Sequence, residues 1–155
     1  MRLARELTTE DTVHMTTWVL VANRTGARIF DRDGYKLRLV RSFQHPSGRE
    51  TDQDIEAQRS HRTFDKHARG RTHQASPHEH SAEAFAQELA NELGRGRTEQ
   101  GVQRVVLIAE PHFLGLVRLE LDGPTAKLVA ATIPKDLAGA DVDAVQDHLA
   151  GVSPL

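Results

Sequence analysis

Cysteine is absent from the 155 residues. That excludes disulfides, thiolate metal sites and a cysteine nucleophile together, and it fits a reducing compartment. No apolar run approaches the ~20 residues a membrane helix needs, and the opening MRLARELTTEDTVH lacks the apolar stretch of a secretory signal. A cytoplasmic chain with no membrane partner is the expectation. Charge of one sign is also lacking. The net charge is −2, so no global field draws in a polyanion, although a local patch can. Neither a phosphate-cradling P-loop nor a G-x-S-x-G nucleophile elbow occurs. With 38% apolar and 27% charged residues, the chain is polar for a globular protein. It suits one domain carrying a long solvated segment.

Hydrophobic patterning gives the order of elements. Residues 1–14 are polar and show no strand pattern. Met15 precedes TTWVLVAN, so residues 1–14 read as a peripheral extension and 15–155 as a single domain. Trp18–Ala22 is wholly apolar, the mark of a strand buried on both faces. Asn23-Arg24-Thr25-Gly26 is turn chemistry, and Ala27–Phe30 returns as a second strand. After Asp31-Arg32-Asp33-Gly34, Tyr35, Leu37, Leu39 and Phe43 alternate with polar residues, with Arg41 an exception on the apolar side. Residues 44–75 lose all periodicity, and a loop of that length in a compact domain usually has a function or no fixed order. Ser76-Pro77-His78-Glu79 has the form of a capping box. Ala82, Phe85, Ala86, Leu89, Ala90 and Leu93 then follow at helical spacing, with Gly94 or Gly96 expected to end the helix. Val105–Ala109 is another buried strand. Pro111 opens a helix carrying Phe113, Leu116 and Val117 inward, Leu128–Ile133 is a fifth strand, and Asp141 caps a last helix. The order β-β-β-α-β-α-β-α predicts an α/β fold: a mixed five-stranded sheet with flanking helices, of ribonuclease-H-like layout.

A two-metal nuclease on such a layout needs carboxylates converging at strand ends. Glu110, after VVLIA, is the only acid so placed, and one acid does not hold two metals. His78 and His80 flank Glu79 and can be completed by His67 or His73, which gives a metal-dependent hydrolase as one reading. The bland alternative packs His78 under the loop and leaves Glu79 to the cap. The larger feature is charge. Arg59, Arg62, Lys66, Arg69 and Arg71 face a single acid, Asp65, giving residues 59–75 a local charge of +4. Arginine forks suit phosphate oxygens, so this stretch reads as a basic arm. The candidate nucleic-acid contacts are Arg59, Arg62, Lys66, Arg69, Arg71, His73 and Gln74. Phe64 is its one aromatic residue, too few for reading single-stranded bases by stacking. The bland reading is a loop whose basic half is neutralised by Glu50, Asp52, Asp54 and Glu56.

Several segments together resemble a known family. TTWVLVANRTGARIF, FQHPSGRETD, RSHRTFD, SPHEHSAEAFAQELANEL, VVLIAEPHFLGLVR and IPKDLAG are similar to the bacterial host attachment protein family, over nearly the whole chain from Met15. That family resembles, more distantly, the middle domain of archaeal and eukaryotic peptide-chain release factors, which has a ribonuclease-H-like fold. There a Gly-Gly-Gln loop precedes the long helix. The matching place here is Gly70-Arg71-Thr72-His73-Gln74, where Gln74 follows Thr-His and the paired glycines are missing. Taken with the basic arm, the leading expectation is a cytoplasmic, non-enzymatic domain without a cofactor that meets the ribosome or a structured RNA through that arm. The alternatives are an interaction or regulatory factor needed for attachment, whose partner is another protein, and the metal-dependent hydrolase.

Overall fold

The computed structural model describes residues 15–46 and 77–152. The five strands are β1 (Thr17–Asn23), β2 (Gly26–Asp33), β3 (Lys36–Gln44), β4 (Arg104–Ala109) and β5 (Val129–Ile133). The helices are α1 (Pro77–Glu99), α2 (Pro111–Glu120), α3 (Gly123–Ala126) and α4 (Val142–Leu149). One mixed sheet has the order β3-β2-β1-β4-β5. The pairs β1–β2 and β2–β3 are antiparallel, and β1–β4 and β4–β5 are parallel. The expected α/β class and five-stranded mixed sheet are therefore observed. The short helix α3 is an addition, and Gln44, assigned from the sequence to the long loop, is the last residue of β3.

The two wholly apolar runs, VLVA of β1 and VVLIA of β4, pair at the centre of the sheet, with Val19 opposite Val106 and Leu20 opposite Leu107. Because side chains alternate along a strand, each run supplies both faces. On one face Trp18, Leu20, Ala22, Val105 and Leu107 meet Phe85, Leu89 and Leu93 of α1 and Phe113 and Val117 of α2. On the other, Val19, Val21, Phe30, Val106 and Ile108 meet Val145 and Leu149 of α4. Two arginines of β2 fasten the second layer. Arg28 Nη2 donates to the carbonyls of Leu137 (3.1 Å) and Ala140 (2.6 Å). Arg32 Nη2 donates to those of Leu149 (3.1 Å) and Val152 (2.7 Å), placing a cation at the carboxyl end of α4.

The sequence expectation of Gly94 or Gly96 as the end of α1 is corrected: the helix passes both and runs to Glu99. Gly96 answers to packing instead. A Cβ there would overlap the indole ring of Trp18, so the glycine lets β1 and α1 approach closely. The left-handed residue that follows the helix is Gly101, at φ 71. The irregular phase of β3 also has a structural cause. A bulge between Ile29 and Phe30 shifts the register, so Leu39 lies opposite Phe30 and Arg41 opposite Ile29. Arg41 and Phe43 are thereby turned towards α1, where Arg41 Nη1 bonds Glu92 Oε2 at 2.9 Å. Leu39, expected on a half-buried face, is 53% exposed on this edge strand.

Asp122 caps α3 by accepting from Thr125 N at 2.8 Å. Hydrogen bonds from the Thr125 side chain and then its backbone hold the Asp122 carboxyl below the usual carboxylate range. The unfolded chain therefore takes up this proton more readily than the folded one. The cap contributes fully above the ordinary aspartate pKa and is lost as pH falls through the lowered folded value. An NMR titration of the Asp122 side-chain carbonyl should give a midpoint below that of an unstructured aspartate. Gly96→Ala should lower stability in urea by about 2 kcal/mol through overpacking against Trp18, although helix propensity alone favours alanine. Arg32→Ala should cost about 3 kcal/mol in the same assay, since it takes the donor from the carbonyls of Leu149 and Val152 and removes an almost fully buried side chain.

Candidate functional site

In open α/β sheets ligands gather beyond the carboxyl ends of the parallel strands. Here β1 ends at Asn23, β4 leads into Glu110, and β5 leads to Asp136. Asn23 Oδ1 accepts from the backbone of Thr25 (2.8 Å) and Gly26 (3.2 Å), closing the β1–β2 turn. Its amide donates to Asp136 at 3.1 and 3.3 Å, which ties the loop after β5 to the end of β1.

Arg24, next along the chain, lies between two glutamates. Its Nη1 is 3.5 Å from Glu79 Oε1 in the first turn of α1, and its Nε is 3.7 Å from Glu110 Oε2. Glu110 is the N-cap of α2, accepting from the backbone of His112 at 2.9 Å. The His112 ring lies 2.9 Å from Glu79 Oε2 through Nε2. Both carboxylates thus stand at helix amino termini, where the helix dipoles favour negative charge. Arg24 joins the two helix starts. The side chains of Arg24, Glu79 and Glu110 are about one quarter exposed, so this is a half-buried network and not a set of solvated surface pairs.

The second element of the site is His45, just past β3. Its ring stacks on Phe85 with centroids 4.5 Å apart and planes within 2°. Its Nε2 lies 2.8 Å from Ser81 Oγ, and its backbone N donates to Thr25 O at 2.9 Å. A serine and a histidine at this distance can form a nucleophile–base pair. Among the described residues, however, no carboxylate bonds His45, and the flat stacking on Phe85 makes the pair a clamp. Among those residues no three His, Cys, Asp or Glu side chains converge as metal ligands. His80 is exposed and sits 3.6 Å from Glu83, one turn along α1.

The clamp and the network have a shared position. His45 stands at the amino-terminal side of residues 47–76, and Glu79 and Ser81 at the carboxyl-terminal side. The proposed nucleic-acid contacts Arg59, Arg62, Lys66, Arg69, Arg71, His73 and Gln74 lie outside the described residues, as do Ser76, the extension 1–14 and the side chain of His78. What the structure places together is the base of that segment, made of Arg24, His45, Glu79, Ser81, Glu110 and His112. Sequence reasoning passed over Arg24, His45 and His112. Arg24 lay hidden in a turn signature, although its place directly after an apolar strand is a usable signal.

The match to a family model covers residues 18–149, and that model describes a protein required for attachment to host cells. The chain belongs to this family. No curated protein sequence matches it. Among solved structures, it is similar to the archaeal translation termination factor aRF1, at 16% identity and a TM-score of 0.52, over 94% of this chain and 38% of that one. A second similar structure, an archaeal protein, has 12% identity and a TM-score of 0.51, over 92% of this chain and 36% of that one. At such identity the likeness concerns the fold. The host attachment chain spans little more than a third of either structure.

Arg24→Ala should leave Glu79 and Glu110 facing each other without their shared cation. Stability at low salt should fall by about 1 kcal/mol, and by less at high salt, measured by urea denaturation at both ionic strengths.

Proposed function

We propose that this host attachment family member is a cytoplasmic, non-enzymatic domain that associates with RNA or the ribosome through the basic segment between β3 and α1. The observation that carries the reading is the closed base of that segment. His45 meets Ser81 at 2.8 Å and Phe85 face to face, so the chain leaves the sheet and returns to α1 at one place. Between those points stand the five basic residues at 59–71 with their local excess of positive charge. A charged arm rooted on a fixed base can reach a phosphate backbone while the sheet stays unchanged. The fold shared with an archaeal termination factor supports a translational setting. Gln74, which follows Thr72-His73, is proposed as a contact and not as a catalyst of peptide release.

Binding of a labelled structured RNA, and sedimentation with ribosomes, should weaken steeply between low and moderate salt. The double change Arg69→Ala with Arg71→Ala should reduce the salt slope by about 2, as expected when two phosphate contacts are removed. Binding that ignores salt, or that survives the double change with its slope intact, would overturn this reading.

A further inference from the structure

The two edges of the sheet differ in a way that the arm does not explain. The β3 edge carries Lys36, Arg38 and Arg41, and charged residues of this kind deter another strand from adding. The β5 edge is Val-Ala-Ala-Thr-Ile, without a charge or a proline until Pro134. Its outer side has no partner strand among the described residues. Beside it runs a groove of about 700 Å³ between α2, α3 and β5, with Leu116, Leu119, Ala126 and Val129 in its walls. Leu119 is 81% exposed, the most exposed large apolar side chain among the described residues. An uncharged edge beside an apolar trough is the arrangement by which strand addition obtains both main-chain hydrogen bonds and side-chain specificity.

Charge identifies the occupant. The ionisable groups lining the groove are Arg118 and His112, and no carboxylate lines it. The neighbouring acid of α2, Glu120, faces the opposite side of the helix, towards Arg95 and Arg97 of α1. Lys127 and Lys135 bracket the edge strand in sequence. Neither they nor Arg118 form an ion pair with another described residue. A second copy docking by two-fold symmetry would bring Arg118 towards its own counterpart, with no acid in the groove to offset it. RNA would satisfy the cations but would leave the leucines without apolar partners.

We propose that the β5 edge and the α2–β5 groove bind an extended acidic segment of a partner protein. That segment adds as a sixth strand, with apolar side chains in the groove and carboxylates towards Arg118, Lys127 and Lys135. The groove meets the base of the arm at His112, but peptide binding in it does not depend on RNA binding.

The test is fluorescence anisotropy on the full chain with a short labelled peptide in which Glu alternates with Val and Leu. The same peptide with Lys for Glu and a labelled single-stranded RNA are tested alongside. The acidic peptide should bind at least about tenfold more tightly than the lysine version, and Leu119→Glu and Arg118→Glu should each weaken it about tenfold. Backbone amide shifts should concentrate in residues 129–133. The Arg69→Ala, Arg71→Ala variant should bind the peptide unchanged, so failure here is distinct from failure of the RNA reading. Both groove positions are exposed, and unchanged thermal unfolding verifies that the variants fold. Equal binding of the two peptides, indifference to Leu119→Glu, or displacement of the peptide by the RNA would overturn the proposal. A dimer that Leu119→Glu disperses would do so as well, by assigning the groove to a second copy.

Discussion

Everything in this molecule follows from two neighbouring strands that have no polar face. The centre of β1 and all of β4 beyond its first residue are buried on both sides. Burying an aliphatic side chain is worth about 1.5–3 kcal/mol, so a strand pair of this composition requires cover above and below. The long α1 with α2 provides one cover, and the shorter α4 the other. Parallel β1 and β4 also end at the same side of the sheet. Asn23 at the end of β1, Arg24 after it and Glu110 after β4 are thereby brought together with the first turns of two helices.

The local structure around that point is assembled from groups whose primary work is structural. Glu110 caps a helix, Asn23 closes a turn, and His45 packs on an aromatic ring. Each uses only part of its bonding capacity locally. What remains links elements far apart in the chain: Asn23 to Asp136, and Arg24 and His112 to Glu79. The half-buried setting of Arg24, Glu79 and Glu110 strengthens their charge contacts relative to surface pairs, because less water screens them.

The fold was legible because its signals are strong and local. VLVA and VVLIA can hardly be anything but central strands, and the spacing from Ala82 to Leu93 is helical throughout. Gly96 misled because a glycine in a helical pattern has two physical meanings, a stop or a close approach, and only the position of Trp18 across the gap selects one. Arg41 looked out of place for a similar reason. The bulge at Val40 of its own strand, between the pairs Ile29–Arg41 and Phe30–Leu39, reverses which face it occupies, and nothing in the local sequence marks it. The site was legible only in part. Glu110 could be found from its place after an apolar strand. The joining of Arg24, Glu79 and His112 depends on contacts spanning 55 residues and more between Arg24 and α1 or α2, which no local pattern records. The basic residues at 59–71 were conspicuous by composition, whereas the base that roots them was not.

The clamp of His45 on Ser81 and Phe85 bears on how this domain can change over time. Closing a loop between two fixed points costs entropy that grows only with the logarithm of its length, about 0.6 kcal/mol for each doubling. With its two ends held by contacts internal to the folded body, the segment between them can lengthen, shorten or exchange its charges at little expense to the sheet. Selection on what the arm touches is then largely uncoupled from selection on folding. The same body can carry differently tuned arms so long as the imidazole, the hydroxyl and the ring beneath them stay in place.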